Sequence, residues 1–273
     1  MLIKATALLF CALAPLSAQP EKTAWDVLNQ SLAEKNPDRR RQAVTAIGSI
    51  GRTPEAVRLV EFALKDPDSL VRQTAAAELG EMKSAASIPV LKTTLDDPAG
   101  EVAFAAARSL WQIGDKSGRG LIEDVMTGQE KAAESFMNSQ IREAKRKLHD
   151  PKALALFGAK EASSVLLGPF NLGIIAAEGA FKDGSAAGRV LATVLLSEDC
   201  DAETIRLLEW TYQNDKNWVV KAAAAKALGK CGSPGSVPRL EQGLADSQEA
   251  IKDMSAGSII RITLKSEGKT TAE

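Results

Sequence analysis

The residues able to do chemistry in this chain are few and scattered. His149 is the only histidine among 273 residues. A Ser–His or Cys–His nucleophile would have to be built on it alone. It stands before Asp150-Pro151, where a helix ends and the dipole alone favours a histidine. No Cys-x-x-Cys or His-x-x-x-His pair offers zinc ligands at the necessary spacing. Gly229-Lys230-Cys231-Gly232 lacks the preceding strand and the spacing that a phosphate-cradling loop requires. Four aspartates, Asp66, Asp97, Asp215 and Asp246, recur near Arg72, Lys221 and Lys252. A row of carboxylates could bind a metal, but an aspartate before a helix more commonly caps it and pairs with a cation from the next turn of the stack. We read them as that ladder. Glu78 differs, because its counterparts are Ala46, Ser109, Ala227 and Ser258. It either pairs with an arginine or points into a groove.

The elements that position these residues repeat. Residues 66–80, 97–110, 215–229 and 246–259 share one frame: Asp, then an apolar residue five positions on (Val71, Val102, Val220, Ile251), then Leu or Ile eight further on (Leu79, Leu110, Leu228, Ile259). A degenerate copy includes Glu34, Arg39 and Ile47-Gly48. A preceding helix repeats too, with Ile88-Pro89-Val90-Leu91 before Asp97 matching Val237-Pro238-Arg239-Leu240 before Asp246. Each unit is a helix, a tight Asp-led turn and a second helix with apolar residues at i, i+4 and i+8. One such hairpin cannot bury both faces, so neighbours must stack. The expected fold is all-α, an α-α superhelix (solenoid) of stacked antiparallel helix pairs.

The pattern Asp-Pro-x-x-x-Val-Arg-x-x-Ala-Ala-x-x-Leu-Gly, read at 66–80, resembles the short HEAT-like repeat named after the phycobilisome lyases. The resemblance covers about residues 22–114 and 200–264. It implies the solenoid fold and leaves the function open, since such repeats serve many roles. Relatives of this kind that bind a di-iron centre use repeated His-Glu pairs, and this sequence has none. No cofactor is therefore expected.

The first 20 residues read MLIKATALLFCALAPLSAQP. Lys4, then about ten largely apolar residues, Pro15 and Ser17-Ala18 have the order of a signal peptide cleaved after residue 18. Phe10 before Cys11 argues against lipidation. The domain plan is a signal peptide at 1–18, one solenoid at 22–264 and a flexible tail at 265–273. Its middle, 129–199, is irregular, with helices expected at 129–149, 154–167, 172–181 and 186–196. Export places Cys200 and Cys231 in an oxidising compartment. They lie at adjacent ends of one helix hairpin. They could form a disulfide closing about 32 residues, worth roughly 3 kcal/mol, or stand as two independent thiols.

A formal net charge of −1 argues against nucleic acid or an anionic membrane as the partner. No later apolar segment is long enough to span a bilayer, so no membrane insertion is expected after cleavage. The second helices of HEAT solenoids line the concave face. Arg72, Phe104, Arg108, Lys221 and Lys226 then form the candidate binding strip for a protein or peptide. Trp111, Trp210 and Trp218 exceed what an alanine-rich core requires. The expectation is an exported (periplasmic or secreted), non-catalytic scaffold. The alternatives are a lyase-type enzyme or chaperone acting on a protein-bound chromophore, or a structural subunit of an envelope complex.

Overall fold

A computed structural model describes residues 18–126 and 186–269. The proposed signal segment up to residue 17, the expected helices at 129–149, 154–167 and 172–181, His149, and residues 270–273 lie outside them.

Every described element is a helix, and the helices form a superhelix of antiparallel pairs. In chain order these are α1 (Ala18–Leu32), α2 (Pro37–Gly48), α3 (Pro54–Ala63), α4 (Ser69–Glu81), α5 (Ile88–Thr94), α6 (Gly100–Ile113) and α7 (Arg119–Met126). They continue with α8 (Ala186–Leu196), α9 (Ala202–Asn214), α10 (Trp218–Cys231), α11 (Val237–Gly243) and α12 (Glu249–Ser266). Short 3-10 turns, Ala85–Ser87 and Pro234–Ser236, lead into α5 and α11. The last helix runs two residues into the expected tail.

The Asp-led turn explains where each second helix begins. Oδ1 of Asp66, Asp97, Asp215 and Asp246 accepts from the backbone N–H two residues on, at 2.9, 2.9, 2.8 and 2.7 Å. The aspartate therefore closes the turn. The helix itself is capped two positions later, by Asp68 before α4 and Asn217 before α10. The other carboxylate contacts make the ladder. Arg40 forks onto Asp66 through Nε and Nη2 at 2.7 Å each, Arg72 onto Asp97 at 2.8 and 2.9 Å, and Arg189 onto Asp215 at 2.8 and 3.1 Å. Arg72 Nη1 also donates to the carbonyls of Asp66 and Pro67. One guanidinium thus ties its own turn to the next. Burial opposes the charge on Asp66, yet its bonds to Arg40 win and hold its pKa below the usual carboxylate range. A second tie links first helices: Ser87 donates to Glu61 at 2.6 Å, and Ser236 to Glu209 at 2.7 Å.

The order of stacking is not the order of sequence. In space the second helices run α8, α10, α12, α2, α4, α6. The last helix, α12, packs on α1 and α2, so the two ends of the described chain meet in the middle of the stack. Ala24 and Leu28 of α1 are fully buried there with Ile259 and Ile260 in the same core. Ser31 donates to Asp253 at 2.7 Å, Arg39 pairs with Glu249 at 2.9 Å, and Arg261 Nη1 donates to the carbonyl of Ser49 at 3.0 Å. Gly257 permits this seam, since a Cβ there would lie 2.6 Å from the backbone oxygen of Ala46. Helix α8, grouped by sequence with the irregular middle, packs on α10 and carries a ladder arginine, so it belongs to the regular stack.

Candidate binding groove

The second helices curve toward one another across their free face. Lys226 of α10 lies within electrostatic reach of Glu78 and Glu81 on α4, with α12 and α2 between those helices. Such reach across two intervening helices fits a row that curves inward on this face, the concave side expected of second helices. Glu78 is 3% exposed, and its carboxylate occupies space that a Cβ on Gly48 would fill. Glu81 accepts from Arg108 at 3.4 Å and from Gln112 at 3.2 Å. Burial pushes the Lys226 amine below its usual pKa, against the pull of Glu78 and Glu81, and Arg261 adds to the depression.

Beside this cluster a cavity of about 60 Å³ is lined by Val194, Ser197, Ala223, Lys226, Ala227, Lys230 and Arg261. Val194, Ala223 and Ala227 supply apolar lining, and Lys226, Lys230 and Arg261 supply three cations. Ser197 donates its hydroxyl to the carbonyl of Val194 at 2.7 Å, so it presents an oxygen acceptor. Lys230 pairs with Glu198 at 3.4 Å. Cys200 and Cys231 are joined by a disulfide that fastens the loop after α8 to the end of α10, beside Lys230.

The five strip residues read from sequence do not form one surface. Arg72 is committed to Asp97, its side chain 15% exposed, so its guanidinium serves the fold. Lys221 occupies the same register and stands at the turn end of α10, partly buried. Phe104 is half-buried on α6. Arg108 and Lys226, 118 residues apart in sequence, do converge, on the Glu78–Glu81 carboxylates. Lys230 and Arg261 were missed. The available signal was their register, which they share with Glu81 and Gln112, so that the sign of charge reverses between the two blocks of repeats. Of the tryptophans, Trp218 packs against the core, and Trp111 lies under Lys116 with Nζ 3.3 Å from the ring centroid. Trp210 is 63% exposed on α9, a first helix, away from the concave row. Among the described residues, no group of three or more His, Cys, Asp or Glu is arranged to hold a metal. No described helix is long and apolar enough to cross a membrane.

Comparison with known proteins agrees with this architecture. No curated protein matches the chain significantly. A solved structure of human deoxyhypusine hydroxylase in complex with glycerol is similar at 21% identity and a TM-score of 0.35, over 89% of this chain and 96% of that one. A family model described as HEAT repeats matches residues 16–127 and 176–259, well over half of the sequence, and the chain belongs to the HEAT-repeat family.

Proposed function

We propose that this protein is an exported, non-catalytic scaffold that holds a protein or peptide partner on its concave face. The observation that carries the reading is the convergence of Arg108 and Lys226, with Lys230 and Arg261, on a face that curved helix rows leave open to a partner. HEAT-type solenoids build extended concave binding surfaces in this way. The disulfide supports export, because such bonds persist in oxidising compartments, and the order of residues 1–18 supports it independently.

Co-purification from the native source tests the reading. A stoichiometric protein partner is expected, whose binding weakens on Arg108→Glu or Lys226→Gln while the melting temperature of the variants holds. A monomer carrying a bound pigment would overturn it in favour of the chromophore-directed alternative. Mass measurement of the mature chain is expected to show cleavage after Ala18.

A further inference from the structure

We infer that the seam between α1 and α12 is a pH-sensitive latch, firmest in acid, whose responsive group is the Asp253 carboxyl on the face of α12 that α1 covers. The latch goes beyond the scaffold reading and does not depend on what the concave face holds.

Asp253 is fully buried. Its Oδ1 accepts from Ser31 of α1 at 2.7 Å, and its Oδ2 meets no donor among the described residues. A buried carboxylate needs a cation or a full set of donors, and this one has neither. The two cations near it are already engaged: Arg39 of α2 and Lys252 of its own helix both pair with Glu249, at 2.9 and 2.7 Å. Arg41, also on α2, pairs with Asp38 at 3.1 Å. Lys22, the basic residue of α1, stands in the opposite half of that helix from Ser31. Among the described residues no charged group of α10 or α11 acts on Asp253. Burial therefore outweighs the Ser31 bond and the weaker pull of Lys252 and Arg39, and the pKa is pushed up to about 6.

Two features make this group a latch and not merely a cost to the fold. The position does not require a carboxyl, because Ala222 fills the same register of α10 and is fully buried. The helix that covers it is also lightly held. The buried apolar anchors of α1 are Ala24 and Leu28, with Trp25, Val27 and Leu32 partly covered beside them. That is a small apolar hold for a helix of 15 residues. Helix α1 can part from α12 while the rest of the stack stands, and water then reaches Asp253. The closed seam binds the proton more tightly than the open one. Closure is therefore strongest below the ordinary carboxylate range, weakens as pH rises to about 6 and is level above it.

The test is hydrogen exchange read by mass spectrometry on the full chain from about pH 4 to about pH 7. Each rate is divided by the intrinsic rate at that pH, and α4 serves as the internal reference. Opening of α1 is expected to rise about fiftyfold to a hundredfold across the range, while α4 changes little. Asp253→Asn is expected to keep α1 protected at every pH and to remove the slope. Glu55→Gln, on α3 and paired with the exposed Arg58, should leave the slope as it is. A slope in α1 that is absent or of opposite sign in the native chain would overturn the inference, whether or not the Asp253 variant folds. So would a slope that survives in Asp253→Asn. A slope that α4 shares in full would overturn it too, since it would mark unfolding of the whole stack and not release of α1.

Discussion

The two blocks of repeats, 18–126 and 186–269, build the same helix pairs and secure them differently. In the first, Arg40 and Arg72 clamp successive turns through forked bonds to Asp66 and Asp97. In the second, the fork appears once, from Arg189 to Asp215. The next register position, between α10 and α12, holds Lys221, which forms no ion pair among the described residues, and a disulfide ties α8's loop to α10. An ammonium cannot reproduce the two parallel N–H bonds of a guanidinium. The disulfide reinforces the α8–α10 step that Arg189 already forks, and the α10–α12 step at Lys221 is the one left without a forked rung. The blocks also oppose one another in charge, with Glu78 and Glu81 facing Lys226, Lys230 and Arg261 across the groove.

Arg72→Ala is the strongest way to break this contrast. It leaves the largely buried Asp97 carboxylate without its fork and frees two carbonyls of the turn, a loss of about 4 kcal/mol read as a lower urea midpoint. Reduction of Cys200–Cys231 should cost about 3 kcal/mol and act on the second block, seen as hydrogen exchange rising in α8 and α10 before α4.

At the seam, Asp253 is fully buried and its pKa is pushed up to about 6, chiefly by burial, against the smaller effect of the Ser31 bond. In the unfolded chain it ionises near the ordinary value of about 3.9. Between those values the folded state holds the extra proton, so Asp253's own contribution to stability is greatest below about pH 4, falls as pH rises to about 6 and is flat above. Asp253→Asn should remove that slope and gain roughly 2 kcal/mol at neutral pH, measured by denaturation across the range. The smallest expected effect sharpens the comparison from the other side. Lys221→Arg should install the missing fork on Asp246 and stabilise by about 0.5 kcal/mol.

The repeat itself was legible because one spacing carries it: the Asp, the apolar residue five on and the Leu or Ile eight further fix both helix faces at once. The ladder was legible in one rung: of the cations read beside the aspartates, Arg72 forks onto Asp97, whereas Lys252 pairs with Glu249 in its own helix, and the rungs of Arg40 and Arg189 were missed. The aspartates close turns where helix caps were expected, because a capping residue must sit at the helix edge and Asp68 or Asn217 already does. The seam was not legible. Nothing local says that α12 packs on α1, since both present the small apolar surface that any repeat presents to its neighbour. Asp253 occupies the register of Gln73 and Phe104 and looks like a solvent-facing polar residue until α1 covers it. The groove was legible only in halves, because Arg108 and Lys226 share a position in the repeat, whereas their approach depends on a curvature that spacing does not encode.

That seam alters what it means to shorten or assemble this chain. In an ordinary repeat array, removing the final helix trims an end and leaves the remainder standing. Here α12 is the keystone: without it α1 loses the surface that covers Leu28 and the two blocks lose their common wall. During synthesis, too, the first helix made waits for the last one before its apolar side is covered. The row of second helices, and the concave face they form, is continuous only with α12 in place between α10 and α2.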